Sequence, residues 1–169
     1  MVRPRSSIRD PPSPMLHLKL VTPERVLFQE EAASVTLPTV EGEITILPKH
    51  ADLVAALKPG VAKLVRPNGE IEDIAVSGGF IQVSADNITV LADTAERGEE
   101  LTLEAITEAQ NRARKLMAEA VQVDDAAYAA AAAMLERELA RYHAAVRHRN
   151  RKGLPVMEQS SLLKDENPL

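Results

Sequence analysis

Four histidines, scattered serines and no cysteine bound the chemistry open to this 169-residue chain. His143 and His148 are five residues apart, so on a helix they do not share a face, and no third ligand accompanies them. Ser77, His50 and Asp93 supply the residue types of a nucleophile–base–acid set, but nothing in their spacing brings them together. No glycine-rich phosphate loop, dinucleotide fingerprint or paired-histidine metalloprotease motif is present. Without cysteine there is neither a thiolate metal site nor a disulfide framework, which fits a reducing compartment. No catalytic residue, cofactor or metal is implied. The residue types favour work by contact.

Several groups could make such contacts. Glu41-Gly42-Glu43 reads as a turn that presents two acids ahead of Ile44-Thr45-Ile46-Leu47. His50 follows in a loop bounded by Pro48, where a histidine is either solvated and structural or part of a binding surface. Gly78-Gly79 marks a tight turn or the close approach of another backbone. From Arg137 to Lys152 six basic residues face one acid, Glu138. That run is either a solvated face suited to a helix C-terminus or a basic tip that seeks an acidic protein surface.

The elements that carry these groups change character near Glu99. Before it, short alternating runs suggest about eight strands. Leu16, Leu18 and Leu20 begin the series, followed by Val26 to Phe28, Ala33 to Leu37 and Ile44 to Leu47. Val61 to Val65 and Ile71 to Val76 flank Arg66-Pro67-Asn68-Gly69, a hairpin signal because Asn-Gly accepts positive φ cheaply. Phe80 to Val83 and Ile88 to Leu91 complete the set. After Arg97-Gly98, Ile106, Ala109, Ala113, Leu116, Ala120 and Val123 step by three and four along a helix. Asp124-Asp125 offers a cap for a second helix, whose seam reads Tyr128, Ala132, Leu135, Leu139, Tyr142 and Val146, with Gly153 and Pro155 to end it.

The expected fold is α+β segregated, an N-terminal antiparallel β-sandwich followed by an antiparallel two-helix hairpin. Residues 1–14 read as a disordered extension, 15–97 as the sandwich, 99–150 as the hairpin and 151–169 as a disordered tail. Met15 is an alternative start, which would make the first fourteen residues an upstream extension. The hairpin seam is rich in alanine, which removes little area from water, so the helix pair should dock loosely and act as a two-position element.

Composition narrows the class further. Hydrophobic residues at 45% and charged ones at 27% are globular proportions, and the 2% of aromatics leaves a core of Val, Ile, Leu and Ala. A net charge of −5 argues against a general nucleic-acid binder. No stretch approaches the ~18 apolar residues that span a bilayer, and the N-terminus lacks a signal-peptide core. The expectation is a soluble, intracellular chain.

Taken together, Glu41–Leu53 (EGEITILPKHADL), Leu57–Gly60 (LKPG), Val76–Phe80 (VSGGF) and Asn87–Leu101 (NITVLADTAERGEEL) resemble the epsilon subunit of F-type ATP synthase. The resemblance runs from about Met15 to Arg149. It implies a non-catalytic central-stalk subunit that couples ion flow through the c-ring to ATP synthesis. Its partners would be the gamma subunit and the c-ring, and the catalytic alpha/beta head when the hairpin extends to inhibit hydrolysis. It also implies a peripheral position on the cytoplasmic face of the bacterial plasma membrane, with membrane contact only through the complex and no nucleic acid. On this resemblance Glu41, Gly42, Glu43 and His50 would meet the c-ring and gamma, and Arg141, Arg147 and Arg149 would meet the head. The alternative is a free-standing nucleotide-sensing regulator of the same fold. Against it, Thr102 and Ala105 stand where ATP-binding relatives carry an acid and an arginine.

Overall fold

The computed structural model describes residues 15–120 and 125–154. Eight strands come first: β1 (Leu16–Val21), β2 (Val26–Ala32), β3 (Ser34–Thr39), β4 (Gly42–Ile46), β5 (Leu53–Val65), β6 (Ile71–Ser84), β7 (Asn87–Ala92) and β8 (Ala95–Arg97). A single 3-10 turn, Gly98–Glu100, leads to α1 (Leu103–Ala120) and α2 (Asp125–Lys152). The calls that involve residues 1–14, Val123, Asp124, Pro155 and the rest of the tail lie outside the described residues.

The strands hydrogen-bond in the order β2-β1-β7-β6-β5-β3-β4, with β8 on β6. The sandwich is antiparallel except at β1 and β7, which run parallel from His17↔Asn87 to Val21↔Leu91. The expected antiparallel sandwich thus includes one parallel pair, because β1 enters beside the last long strand of the set. Alternation gives the core its composition. Leu16, Leu18, Leu20, Leu37, Ile46, Leu64, Ile74, Ile81, Ile88 and Val90 all point inward with about 2% exposure or less.

β5 and β6 are longer than their alternating halves suggested. The turn between them forms as expected: Gly69 has φ +84°, its N–H donates to the Arg66 carbonyl at 2.9 Å, and the Asn68 side chain accepts from the Glu70 N–H at 3.0 Å. Pairing then continues out to Leu53↔Val83, so Pro59, Gly60, Gly78 and Gly79 lie inside strands rather than between them. A Cβ on Gly79 would stand 1.9 Å from the Leu91 carbonyl oxygen, and its φ is +109°. Gly79 is therefore the place where β6 presses against β7 of the same chain.

The helices are antiparallel. Gln110 of α1 donates to the Glu138 carbonyl of α2 at 3.5 Å, while Leu103 and Ile106 pack near Ala144 and Ala145 further along α2. α1 buries Leu103, Ile106, Gln110, Ala113 and Ala120, whereas Leu116 is exposed and Ala109 only half-buried. The seam expected of α2 is met in part, since Tyr142 and Val146 pack beside Ala144 and Ala145, but the buried face as a whole is rotated from it. Tyr128 and Leu139 are exposed, and Ala131, Glu138, Ala140, Ala144 and Ala145 are buried in their place. Small side chains win because α2 lies against backbone: a Cβ on Gly98 would be 2.9 Å from the Ala144 carbonyl oxygen and 3.0 Å from His148 Cβ. A second apolar cluster, separate from the sandwich core, joins Val61, Ala75, Leu101, Leu103, Ile106, Ala144 and Ala145. The Leu154 N–H donates to the Arg149 carbonyl at 2.9 Å and Gly153 N–H to Asn150 at 3.3 Å, and with Gly153 at φ +65° this ends α2 in a Schellman motif.

Candidate interaction site

The acidic turn forms as the sequence indicates. Antiparallel pairing of β3 with β4 from Val35↔Ile46 to Thr39↔Gly42 leaves Val40 and Glu41 at the tip. Gly42 adopts φ +136° and its carbonyl accepts from Thr39 Oγ1 at 2.6 Å. The Val40 N–H donates to the Ala56 carbonyl at 3.1 Å, so the tip is braced on β5. Glu41 and Glu43 are exposed, beside the exposed Val40. A braced turn thus presents two carboxylates that have no ion-pair partner among the described residues, and an apolar neighbour.

His50 lies on a different loop, 47–52, after the exposed Leu47. Its Nδ1 is 2.8 Å from the Ala51 carbonyl oxygen, and its N–H donates to the Leu47 carbonyl at 3.0 Å. Lys49, at φ +64°, donates its N–H to Asp86 Oδ1 at 2.7 Å, and Ala85 N–H donates to Asp52 Oδ1 at 2.8 Å. These two bonds pin the loop to the β6–β7 turn. Among the described residues no hydrogen bond or ion pair links His50 to the acids of the β3–β4 turn, so the four positions lie on the turn that opens β4 and on the separate loop that follows it, rather than in one constellation.

The basic end of α2 divides into residues with different surroundings. Arg141 bridges the hairpin and the sandwich, 2.9 Å from Glu96 of β8 and 2.8 Å from Glu138 of its own helix. Burial pulls the Arg141 pKa down, but Glu96 and Glu138 outweigh it and hold the guanidinium more firmly charged than usual. Arg147 is exposed and Arg149 half-buried. Sequence reading passed over two further contacts. Arg151 reaches the buried Asp73 of β6, and Arg66 ties Glu30 at 2.9 Å to Glu72 at 2.6 Å, with Arg97 adding 3.2 Å to Glu72. The bond to Glu30 leads in raising the Arg66 pKa, against a burial that lowers it. Arg97 also stacks 4.2 Å above the Phe28 ring. Two adjacent acids, Glu72 and Asp73, inside the short strand run Ile71–Val76 were the available signal.

Ser77, His50 and Asp93 are not a triad. Ser77 Oγ is 2.7 Å from Thr94 Oγ1 and His50 serves its own loop. Among the described residues no group of three or more metal-type ligands gathers.

Comparison with known proteins decides the family. Residues 15–98 match the model of the ATP synthase Delta/Epsilon chain beta-sandwich domain. The ATP synthase epsilon chain of Moorella thermoacetica is 44% identical over 130 residues, which is 77% of this chain and 96% of the relative. This chain belongs to the ATP synthase epsilon chain family. The epsilon chain of Herpetosiphon aurantiacus is 39% identical over 137 residues, 81% of this chain and 98% of that one. In structure, a chain of the Euglena gracilis mitochondrial ATP synthase, solved with its c-ring, superposes with a TM-score of 0.69 at 26% identity, covering 86% of this chain and 91% of that one. A chain of the Tetrahymena thermophila central stalk and c-ring shares the fold, with a TM-score of 0.53 at 17% identity over 78% and 97% of the two chains. An epsilon chain is part of a membrane-associated complex, and among the described residues no helix is long and apolar enough to cross a membrane.

Proposed function

We propose that this epsilon chain is a non-catalytic piece of the rotor, with residues 15–97 as its anchor and residues 99–150 as a releasable brake on ATP hydrolysis. Docking of α2 through Ala144 and Ala145, flanked by ion pairs to Glu96 and Asp73, is the observation that supports the brake. Alanines bury little area, at ~25 cal/mol per Å² of apolar surface, so few kcal/mol separate the docked hairpin from a released one. The hairpin then extends toward the catalytic alpha/beta head, where Arg147 and Arg149 meet acidic surface. Arg141 reaches that surface only after leaving Glu96 and Glu138.

Glu41, Gly42 and Glu43 suit contact with polar loops of the c-ring, because the turn is braced and its acids are exposed. His50 would add a contact to gamma or the ring from the separate loop 47–52. The complex would sit on the cytoplasmic face of a bacterial plasma membrane, with this subunit peripheral. Co-purification from native membranes tests the assignment. The chain should elute with gamma, the c-ring and the catalytic head, and elution as a free protein would contradict it.

A further inference from the structure

Among the described residues Asp73 is the most deeply buried acid, at 1% exposure. It stands two positions before Ala75 on β6, so both side chains share the face that the hairpin covers, and Val61 pairs directly with Ala75. Oδ2 is bound by the Arg151 guanidinium from the last turn of α2, and Oδ1 accepts no hydrogen bond among the described residues. The partners are unequal. The Arg151 side chain keeps 35% exposure, so its charge can return to water without moving the helix, whereas the Asp73 carboxylate is solvated only when the hairpin leaves.

We propose that Asp73 and Arg151 form a one-sided electrostatic lock on the docked hairpin. A docked hairpin without Arg151 traps an uncompensated carboxylate, so loss of the arginine expels α2. Loss of the aspartate charge merely frees the arginine. Arg141, roughly three helical turns earlier, is held by Glu96 and sets the second point of the register. Between the two arginines Gly98 admits the helix backbone. The inference rests on the hairpin being movable and adds its regulation: an acidic surface that captures Arg151 destabilises the docked position as it binds the released one. The same arginine is thus contested by both states.

The chain has no cysteine, so Val61→Cys in the full-length protein reports docking through its rate of maleimide labelling. The parent Val61→Cys should label slowly. Adding Arg151→Ala should accelerate labelling by about tenfold or more, the effect of stranding a buried charge. Adding Asp73→Asn to that variant should return the rate to within about threefold of the parent, and Asp73→Asn alone should stay protected. Unchanged labelling in Arg151→Ala would overturn the lock, as would a double variant as fast as Arg151→Ala. Fast labelling of Asp73→Asn alone would also overturn it, because the aspartate would then be an ordinary stabilising partner. Labelling of the isolated chain is independent of hydrolysis. A lock that behaves as stated beside an unaltered hydrolysis rate would contradict the brake and leave the lock standing.

Discussion

Gly79 shows how much of this sandwich hangs on single positions. A methyl there would meet the Leu91 carbonyl oxygen at 1.9 Å in a backbone conformation that other residues avoid. Gly79→Ala should cost about 3 kcal/mol or more, read as a lower urea midpoint of the full chain. Arg66 is the polar counterpart, since Glu30 and Glu72 both lean on it with side chains only partly exposed. Arg66→Ala should cost about 1–3 kcal/mol, because Glu72 keeps only Arg97. The same unfolding experiment checks this, and a change under about 0.5 kcal/mol would reduce the network to a surface decoration. Thr102 and Ala105 are exposed at the start of α1. Without a cation there, a phosphate lacks a charge-assisted bond of about 1.5–3 kcal/mol. Calorimetric titration of the isolated chain with ATP should therefore show no micromolar binding. Arg147 is the clean probe of the released state, since it is exposed when docked. Charge reversal there should relieve inhibition of hydrolysis without loosening the hairpin, whereas reversal of Arg141 would also place a carboxylate beside Glu96 and Glu138.

At the scale of elements, strands were legible wherever one face is buried and the other wet, as in Leu16–Val21 and Asn87–Ala92. Legibility failed in the outer half of β5 and in the continuity of β6, whose Phe80–Val83 half was read as a separate strand, because Pro59, Gly60, Gly78 and Gly79 interrupt the alternation while the backbones still pair. It failed at β8 because three residues, Ala95–Arg97, carry no period at all. The rotation of α2 has a different cause. Periodicity identifies the large apolar residues, but docking onto Gly98 and β6 rewards small ones, so Tyr128 and Leu139 stay outside. It follows that enlarging the true seam should undock the helices without unwinding them. Ala145→Leu should open the hairpin by overpacking a fully buried site, a penalty of about 1–3 kcal/mol. Faster tryptic cleavage within α2 at unchanged helical circular dichroism would report it, and unaltered proteolysis would mean the seam has slack.

For the whole molecule, two apolar clusters rather than one would let the proposed anchor and the proposed brake coexist. The sandwich core is closed by its own strands, while the second cluster exists only while α2 lies across Val61 and Ala75. The acidic turn and the His50 loop were readable as exposed loop signals, and the resemblance in EGEITILPKHADL pointed to them. The ion pairs of Asp73 and Glu96 were not, because sequence order does not reveal which strand lies beneath a helix residue that follows it by 78 positions, as for Asp73, or by 45, as for Glu96. The account as a whole stands on the hairpin acting as a brake that the sandwich does not need. The direct test is ATP hydrolysis by the purified complex, assembled with the full chain or with one ending after Gly98. The account predicts that both assemble and that truncation raises hydrolysis several-fold. An unchanged rate from a fully assembled complex would contradict it and leave the chain a coupling piece alone.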